Sequence, residues 1–261
     1  MKYIKSNITE EIQSLRWKLY QQLKAPIDAM WEQLYIDSSQ HYLIQNNNAS
    51  VGYCCINEDK SLLQLYLEES YHSKMDIVIG ELINHELIQS ASLSSKEPIA
   101  FNACLNRSKS LSTNTFCYEH LNQAMSINTS LNLEEVTSVH IPAIKDFLKE
   151  QIGMEDTFGY TENLVSRKEI FMLREDGLVV ATSECRLSDS QTDIADLGII
   201  VNRDFQGKGI ATELMKMQVN RVLELGKKPI CSTTLDNKAS QKAIEKAGFY
   251  SSHIIFDMKL Q

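Results

Sequence analysis

The stretch Val201-Asn202-Arg203-Asp204-Phe205-Gln206-Gly207-Lys208-Gly209-Ile210-Ala211-Thr212 decides how this chain reads. It follows an apolar run, residues 197–201, that reads as a buried strand. It leads into residues 210–225, which read as an amphipathic helix. A strand, a glycine-bearing loop and a helix N-terminus make an anion site, because the first N–H groups of a helix have no partner inside it. Gly207 and Gly209 let the backbone bend and approach a ligand that a Cβ would hold off. Other phosphate loops do not fit: Gly209 is followed by Ile210 where a P-loop needs Lys-Ser/Thr, and Thr212 is a poor third small residue for a dinucleotide fingerprint. Taken alone, a glycine pair could also do no more than cap a turn before a helix.

The next fifty or so residues add a second pattern. Residues 228–235 read as a strand ending at Asp236-Asn237, and residues 238–246 as a short helix closed by Ala247-Gly248-Phe249. Gly248 suits a left-handed helix C-cap. Residues 254–258 read as a last strand. The spacing Gln206-x-x-Gly209-x-Ala211 resembles the pyrophosphate loop of the GNAT acyltransferase superfamily, and Asn237-x-x-Ser240 with Gly248-Phe249 resembles its second signature. The resemblance implies an α/β fold built on a mixed sheet, acetyl-CoA as co-substrate, no metal, and transfer to a primary amine. It places backbone groups of Ile199, Ile200 and Val201 along the pantetheine. It wraps Gln206, Gly207, Lys208, Gly209, Ile210, Ala211 and Thr212 around the pyrophosphate, and sets Asn237 and Ser240 beside the cofactor arm.

At 261 residues the chain suits two domains of this kind. Upstream of the loop, residues 131–136 read as a strand and residues 141–148 begin a helix. Residues 169–174 and 178–184 read as a hairpin around Glu175-Asp176-Gly177. The first half repeats this order about 130 residues earlier, a spacing that indicates domain duplication rather than a short repeat. Residues 40–45 and 50–55 flank an Asn-rich turn. Residues 62–67 parallel the strand ending at Val201, residues 77–87 the long helix, and residues 98–105 the strand opening at Pro229. The first half carries His72-Ser73-Lys74-Met75 where the second has Gln206-Gly207-Lys208-Gly209. Residues 1–125 are therefore read as a degenerate GNAT-like domain unable to hold coenzyme A, with an unrelated α/β domain as the alternative. Residues 126–261 are read as the acetyl-CoA domain, and the junction is placed between Asn122 and Ser130.

Net charge is −8, with 10 basic and 14 acidic side chains in residues 1–125 and 16 and 20 in the rest. No basic patch or tail results, so nucleic acid is not an expected partner. No run approaches the ~18 apolar residues of a membrane span, so a membrane is not one either. Met1 to Asn7 lacks the apolar core of a signal peptide, and a cytoplasmic protein is expected. A small-molecule or peptide amine is the expected partner, and a homodimer is compatible with the reading. The six cysteines show no Cys-x-x-Cys pair and read as buried thiols, and the six histidines are scattered.

An amine must lose a proton before or during attack on a thioester. Glu184 and Asp196 sit on strands whose ends are expected to face the acceptor, so either could serve as base, with Glu184 ahead. Solvated strand-end carboxylates are the plain alternative. The resemblance also implies a tyrosine seven residues after Asn237 as general acid, but Ile244 stands there. Tyr160, in an expected loop, is a candidate substitute. Acceptor choice is assigned to the first helix, the loop of residues 153–163 and the partner domain. Two functions remain open: an N-acetyltransferase, favoured by the carboxylates, and a coenzyme-A-binding module without turnover, favoured by Ile244.

Overall fold

Alternating apolar and polar positions, cut by turn residues, set out the strands, and apolar stripes at helical spacing cover them. The computed structural model describes residues 1–127, 130–155 and 159–261. Asn128 and Thr129 of the expected junction, and Asp156 to Phe158 of the expected acceptor loop, lie outside them. Two compact units emerge: residues 1–117 with 252–261, and residues 118–251. The chain passes from the first to the second within one strand and returns within its last. All six cysteines are buried, with no disulfide among them. Among the described residues no helix is long and apolar enough to cross a membrane.

In the first unit, β1 (Lys2–Ser6), β2 (Gln40–Asn46), β3 (Ala49–Ile56) and β4 (Ser61–Leu67) form an antiparallel succession. β5 (Ser90–Ser94) adds parallel to β4. The Asn46–Ala49 hairpin uses positive φ at Asn47 and Asn48, the backbone a tight twisted turn requires. α1 (Glu10–Gln22) starts at Thr9, whose hydroxyl accepts the Ile12 N–H at 3.3 Å. It buries Ile12, Leu15 and Leu19 on Leu43, Tyr53 and Tyr66. α2 (Met75–Asn84) and α3 (Pro98–Leu105) join a second cluster with Leu65 and Leu67.

Residues 98–105, expected as a strand, are α3. Pro98 stands in the first helical turn, where its fixed φ is favourable and its missing N–H costs nothing. Ala100, Ala103 and Cys104 fall at helical spacing and are the buried positions. The strand that parallels residues 228–234 is instead β5. The repeat between the halves becomes closer: β4, α2, β5, α3 and β6 (Ser108–His120) match the later order strand, helix, strand, helix, strand.

In the second unit these are β10 (Ile194–Val201), α6 (Ile210–Glu224), β11 (Lys228–Thr234), α7 (Lys238–Lys246) and β12 (Phe249–Leu260). They follow β7 (Leu133–Glu135), α4 (Ile141–Ile152), α5 (Tyr160–Ser166), β8 (Ile170–Glu175) and β9 (Leu178–Leu187). Strand order is β11-β10-β9-β8-β7, with only β10–β11 parallel. Asp176 and Gly177 make the β8–β9 turn with φ of 49° and 82°.

β12 leaves its own unit. Residues 255–259 pair antiparallel with residues 94–90 of β5, and Asp257 accepts from Ser92 at 2.6 Å and Asn114 at 2.9 Å. Met258 and Leu260 are buried in the first unit's core. A fragment of residues 126–261 would therefore carry half a strand without its partner. Met258→Ala should destabilise the protein by about 2–5 kcal/mol, the range for truncating a buried methionine. Urea denaturation with hydrogen exchange should locate the lost protection in residues 90–94 of the first unit.

Candidate acyl-transfer site

The site begins where two strands part. β10 and β11 pair only at Ile194–Lys228, Ala195–Pro229 and Asp196–Ile230. β10 continues to Val201 against β9. The Asn202 N–H donates to the Val180 carbonyl at 2.9 Å, and in an antiparallel ladder only alternate residues bond across. The N–H and C=O of Ile199 and Val201 therefore turn to the side that β11 has left. Gly198 to Val201 are only half-buried, as are Ser232 and Thr233 on β11. The Val201 carbonyl takes the Gln206 side-chain amide at 3.2 Å, which ties the loop to the strand end.

The loop opens in front of that wedge. After a short 3-10 turn at Arg203–Phe205, Gly207 and Gly209 take φ of 77° and 83°. Gly209 is the N-cap of α6 and supplies no side chain to it. The first bond into the helix is Glu213 N–H to Gly209 C=O at 3.1 Å, so the N–H groups of Ile210, Ala211 and Thr212 point out of the helix end. A Cβ on either glycine would meet nothing within 4 Å. Internal crowding thus does not demand glycine, whereas the left-handed backbone does. The Lys208 ammonium lies 4.5 Å from the Phe205 ring centre, which holds its charge along the loop rather than out in solvent. An exposed turn with outward N–H groups, a helix N-terminus and a lysine fits a pyrophosphate.

Across the strands, residues 182, 184 and 186 of β9 register with 200, 198 and 196 of β10, and alternation puts their side chains on one face. Glu184, Arg186 and Asp196 are buried there. Arg186 Nη1 donates to Glu184 Oε2, and its Nη2 lies 3.1 Å from Asp196 Oδ1. Tyr160, the first residue of α5, donates its hydroxyl to the same Glu184 Oε2 at 2.7 Å. Burial first, and then the charge of Glu184, push the Tyr160 phenol well above its ordinary pKa. Gly198 leaves room for this: a Cβ would sit 2.8 Å from Arg186 Nη1 and 3.5 Å from Glu184 Oε2.

The first unit closes the corresponding places. β4 and β5 also pair only at their starts, Ser61–Ser90 and Leu62–Ala91. Yet every residue of β4 is buried. Leu65 and Leu67, the counterparts of Ile199 and Val201, pack with Met75, Ala100, Ala103 and Cys104. A 3-10 helix, Glu69–Lys74, runs straight into α2, and the Met75 N–H donates to the His72 carbonyl. Where α6 presents open N–H groups, α2 has a preceding turn and a buried methionine.

Family models match both halves: an acetyltransferase (GNAT) domain over residues 8–121 and the acetyltransferase (GNAT) family over residues 140–249. The chain belongs to the GNAT acetyltransferases, with two such domains in tandem. It is similar over 100% of both chains to a GNAT-family acetyltransferase from Colwellia psychrerythraea, at 28% identity and a TM-score of 0.94. A GCN5-related N-acetyltransferase from Sphaerobacter thermophilus shares the fold at 13% identity and TM-score 0.68, covering 99% of this chain and 95% of that one. A tandem GNAT protein from the clavulanic acid biosynthesis pathway does so at 11% and 0.63, covering 99% and 98%. No curated protein matches the sequence.

Within this GNAT frame the sequence-derived residues are distributed as follows. Ile199, Ile200, Val201 and residues 206–212 lie together at the wedge and the loop. Asn237 caps α7, accepting the Ser240 N–H at 3.1 Å, so the Asn-x-x-Ser spacing has a structural use of its own. Glu184 and Asp196 were expected on strands whose ends face the acceptor, with solvated carboxylates as the alternative. They are buried in the sheet, both facing Arg186, so the solvated alternative does not hold. Ile244 is 1% exposed and is a core residue of α7. Arg186, Gly198 and Thr182 escaped the sequence reading, although Glu184-x-Arg186 at strand spacing already places two charges on one face. Gly198→Ala should push the Arg186 guanidinium off Glu184. It should cost about 1–3 kcal/mol of stability, the usual overpacking penalty, read by urea unfolding.

Proposed function

We propose that this protein is an acetyl-CoA-dependent N-acetyltransferase that modifies a primary amine of a small molecule or peptide, with the second unit doing the chemistry. The observation that carries the reading is the parting of β10 and β11 directly before an uncapped, glycine-bent helix N-terminus. An extended amide-bearing chain can pair with Ile199 and Val201 there while its phosphates meet the N–H groups of residues 210–212. Acetyl-CoA would supply the activated acyl carbonyl. The chain supplies the rest: backbone donors along β10, an anion-holding loop, and the Glu184 carboxylate beside Gly198 at the fork of the wedge. The first unit, with its slot packed by Leu65, Leu67 and Met75, is assigned no coenzyme A.

Glu184 is the assigned proton acceptor, with Asp196 behind it on the same arginine. Tyr160 holds Glu184 in place and is the hydroxyl nearest to it. A coenzyme-A-binding module without turnover is the second reading, and buried Ile244 in the usual tyrosine position favours it. Thiol release with a panel of amines separates the two.

Gly209→Glu should abolish acetyl-CoA binding in calorimetry, since it adds strain at φ of 83° and a negative charge where phosphate would lie. Retained affinity would move the site elsewhere. Glu184→Gln keeps shape and removes basicity. An aliphatic amine with a pKa near ~10.4 is almost wholly protonated at neutral pH. Turnover of the variant should fall by about 100-fold or more near pH 7, the usual scale of general base catalysis, and recover partly at high pH, where free amine is abundant. Equal loss at every pH would assign Glu184 a binding role.

A further inference from the structure

One face of the β9–β10 pair carries the buried Glu184, Arg186 and Asp196. Both terminal nitrogens of Arg186 are directed at carboxylates of this chain, Nη1 at Glu184 and Nη2 at Asp196. Two carboxylates thus face one guanidinium, in a place where water screens little. Tyr160 and Arg186 both donate to Glu184 Oε2, and among the described residues no donor reaches Oε1. The Glu184 side chain is 8% exposed. One strand step further on the same face, Thr182 is 1% exposed and its hydroxyl has no hydrogen-bond partner among the described residues. It registers with Ile200 at the open end of β10. An acceptor-only oxygen and an unmatched hydroxyl thus line the same face, which runs along the wedge.

Resting on the acetyl-transfer reading above, we propose that the acceptor is a cationic primary amine whose reacting nitrogen has no carboxylate on the neighbouring carbon. An aliphatic amine, a polyamine end or a lysine side chain meets this condition, and the α-amino group of a free amino acid does not. The ammonium sits on Glu184 Oε1. A carboxylate one carbon away would be carried against Glu184 and Asp196, the two carboxylates that the terminal nitrogens of Arg186 already face. Arg186 is thereby the specificity-determining residue. It holds the two carboxylates together beside the bound amine.

The test uses the full chain with acetyl-CoA and matched acceptors: isobutylamine against L-valine, and n-pentylamine against L-norleucine. L-lysine, which carries both kinds of amine, is added with its product mapped by NMR. The amines should exceed the amino acids by roughly 100-fold or more in kcat/KM, since like charges brought together in a buried site are strongly disfavoured. Any lysine product should be acetylated at Nε. Asp196→Asn, which releases one arm of Arg186, should narrow the ratio by about tenfold; coenzyme A binding in calorimetry reports whether the variant is folded. Amino acids within tenfold of their matched amines, or lysine acetylated at Nα, would overturn the proposal and leave acetyl transfer standing. Release of no thiol with any amine, despite bound acetyl-CoA, would remove the transferase reading and this inference together.

Discussion

Everything in the second unit is arranged around backbone groups that have lost their neighbour. A strand inside a sheet normally satisfies both edges, and a buried polar group left alone costs about 1–3 kcal/mol. β10 meets β11 for three pairs and then faces an opening. The fold tolerates this because Gly198 to Val201 stay half-buried, within reach of water or of a ligand that can replace the missing strand. From that single departure follow the placement of the glycine loop at the strand end, the direction of α6, and the position of Glu184 at the fork.

The two units show the same departure resolved in opposite ways. In the first, leucines at positions 65 and 67 and Met75 at the helix start fill the space with side chains, and the fold gains apolar burial. In the second, Ile199 and Val201 remain half-covered and the loop stays open. Burial of Ile244 belongs to the same comparison: an apolar side chain at that place supports α7 and offers no proton.

The glycine loop and the glycine that closes α7 were legible in the sequence because their geometry is local. Glycines at positive φ act within a few residues of themselves, whereas the N-cap role of Asn237 was missed. The duplication was legible through its spacing, but residues 98–105 misled. Eight apolar-rich residues suit a buried strand or a buried helix equally, and Pro98 with Ala100, Ala103 and Cys104 was the overlooked sign of a helix. The Glu184–Arg186–Asp196 cluster was only half legible. Glu184 and Arg186 share a face by alternation, but that Asp196 lies across from Arg186 depends on the β9–β10 register, which no short stretch of sequence encodes. The exchange of β12 was hidden for the same reason: the β5–β12 pairing joins residues more than 150 positions apart.

That exchange bears on how the molecule is made. Residues 1–117 emerge first from the ribosome, yet their sheet receives β12 only when residues 252–261 have been synthesised. Until then β5 offers an unpaired edge, and edges of this kind invite pairing with other chains. Contacts across such a separation also form slowly, because the intervening chain must be closed into a loop first. A first unit that waits for β12 presents that edge for as long as residues 118–251 take to be made.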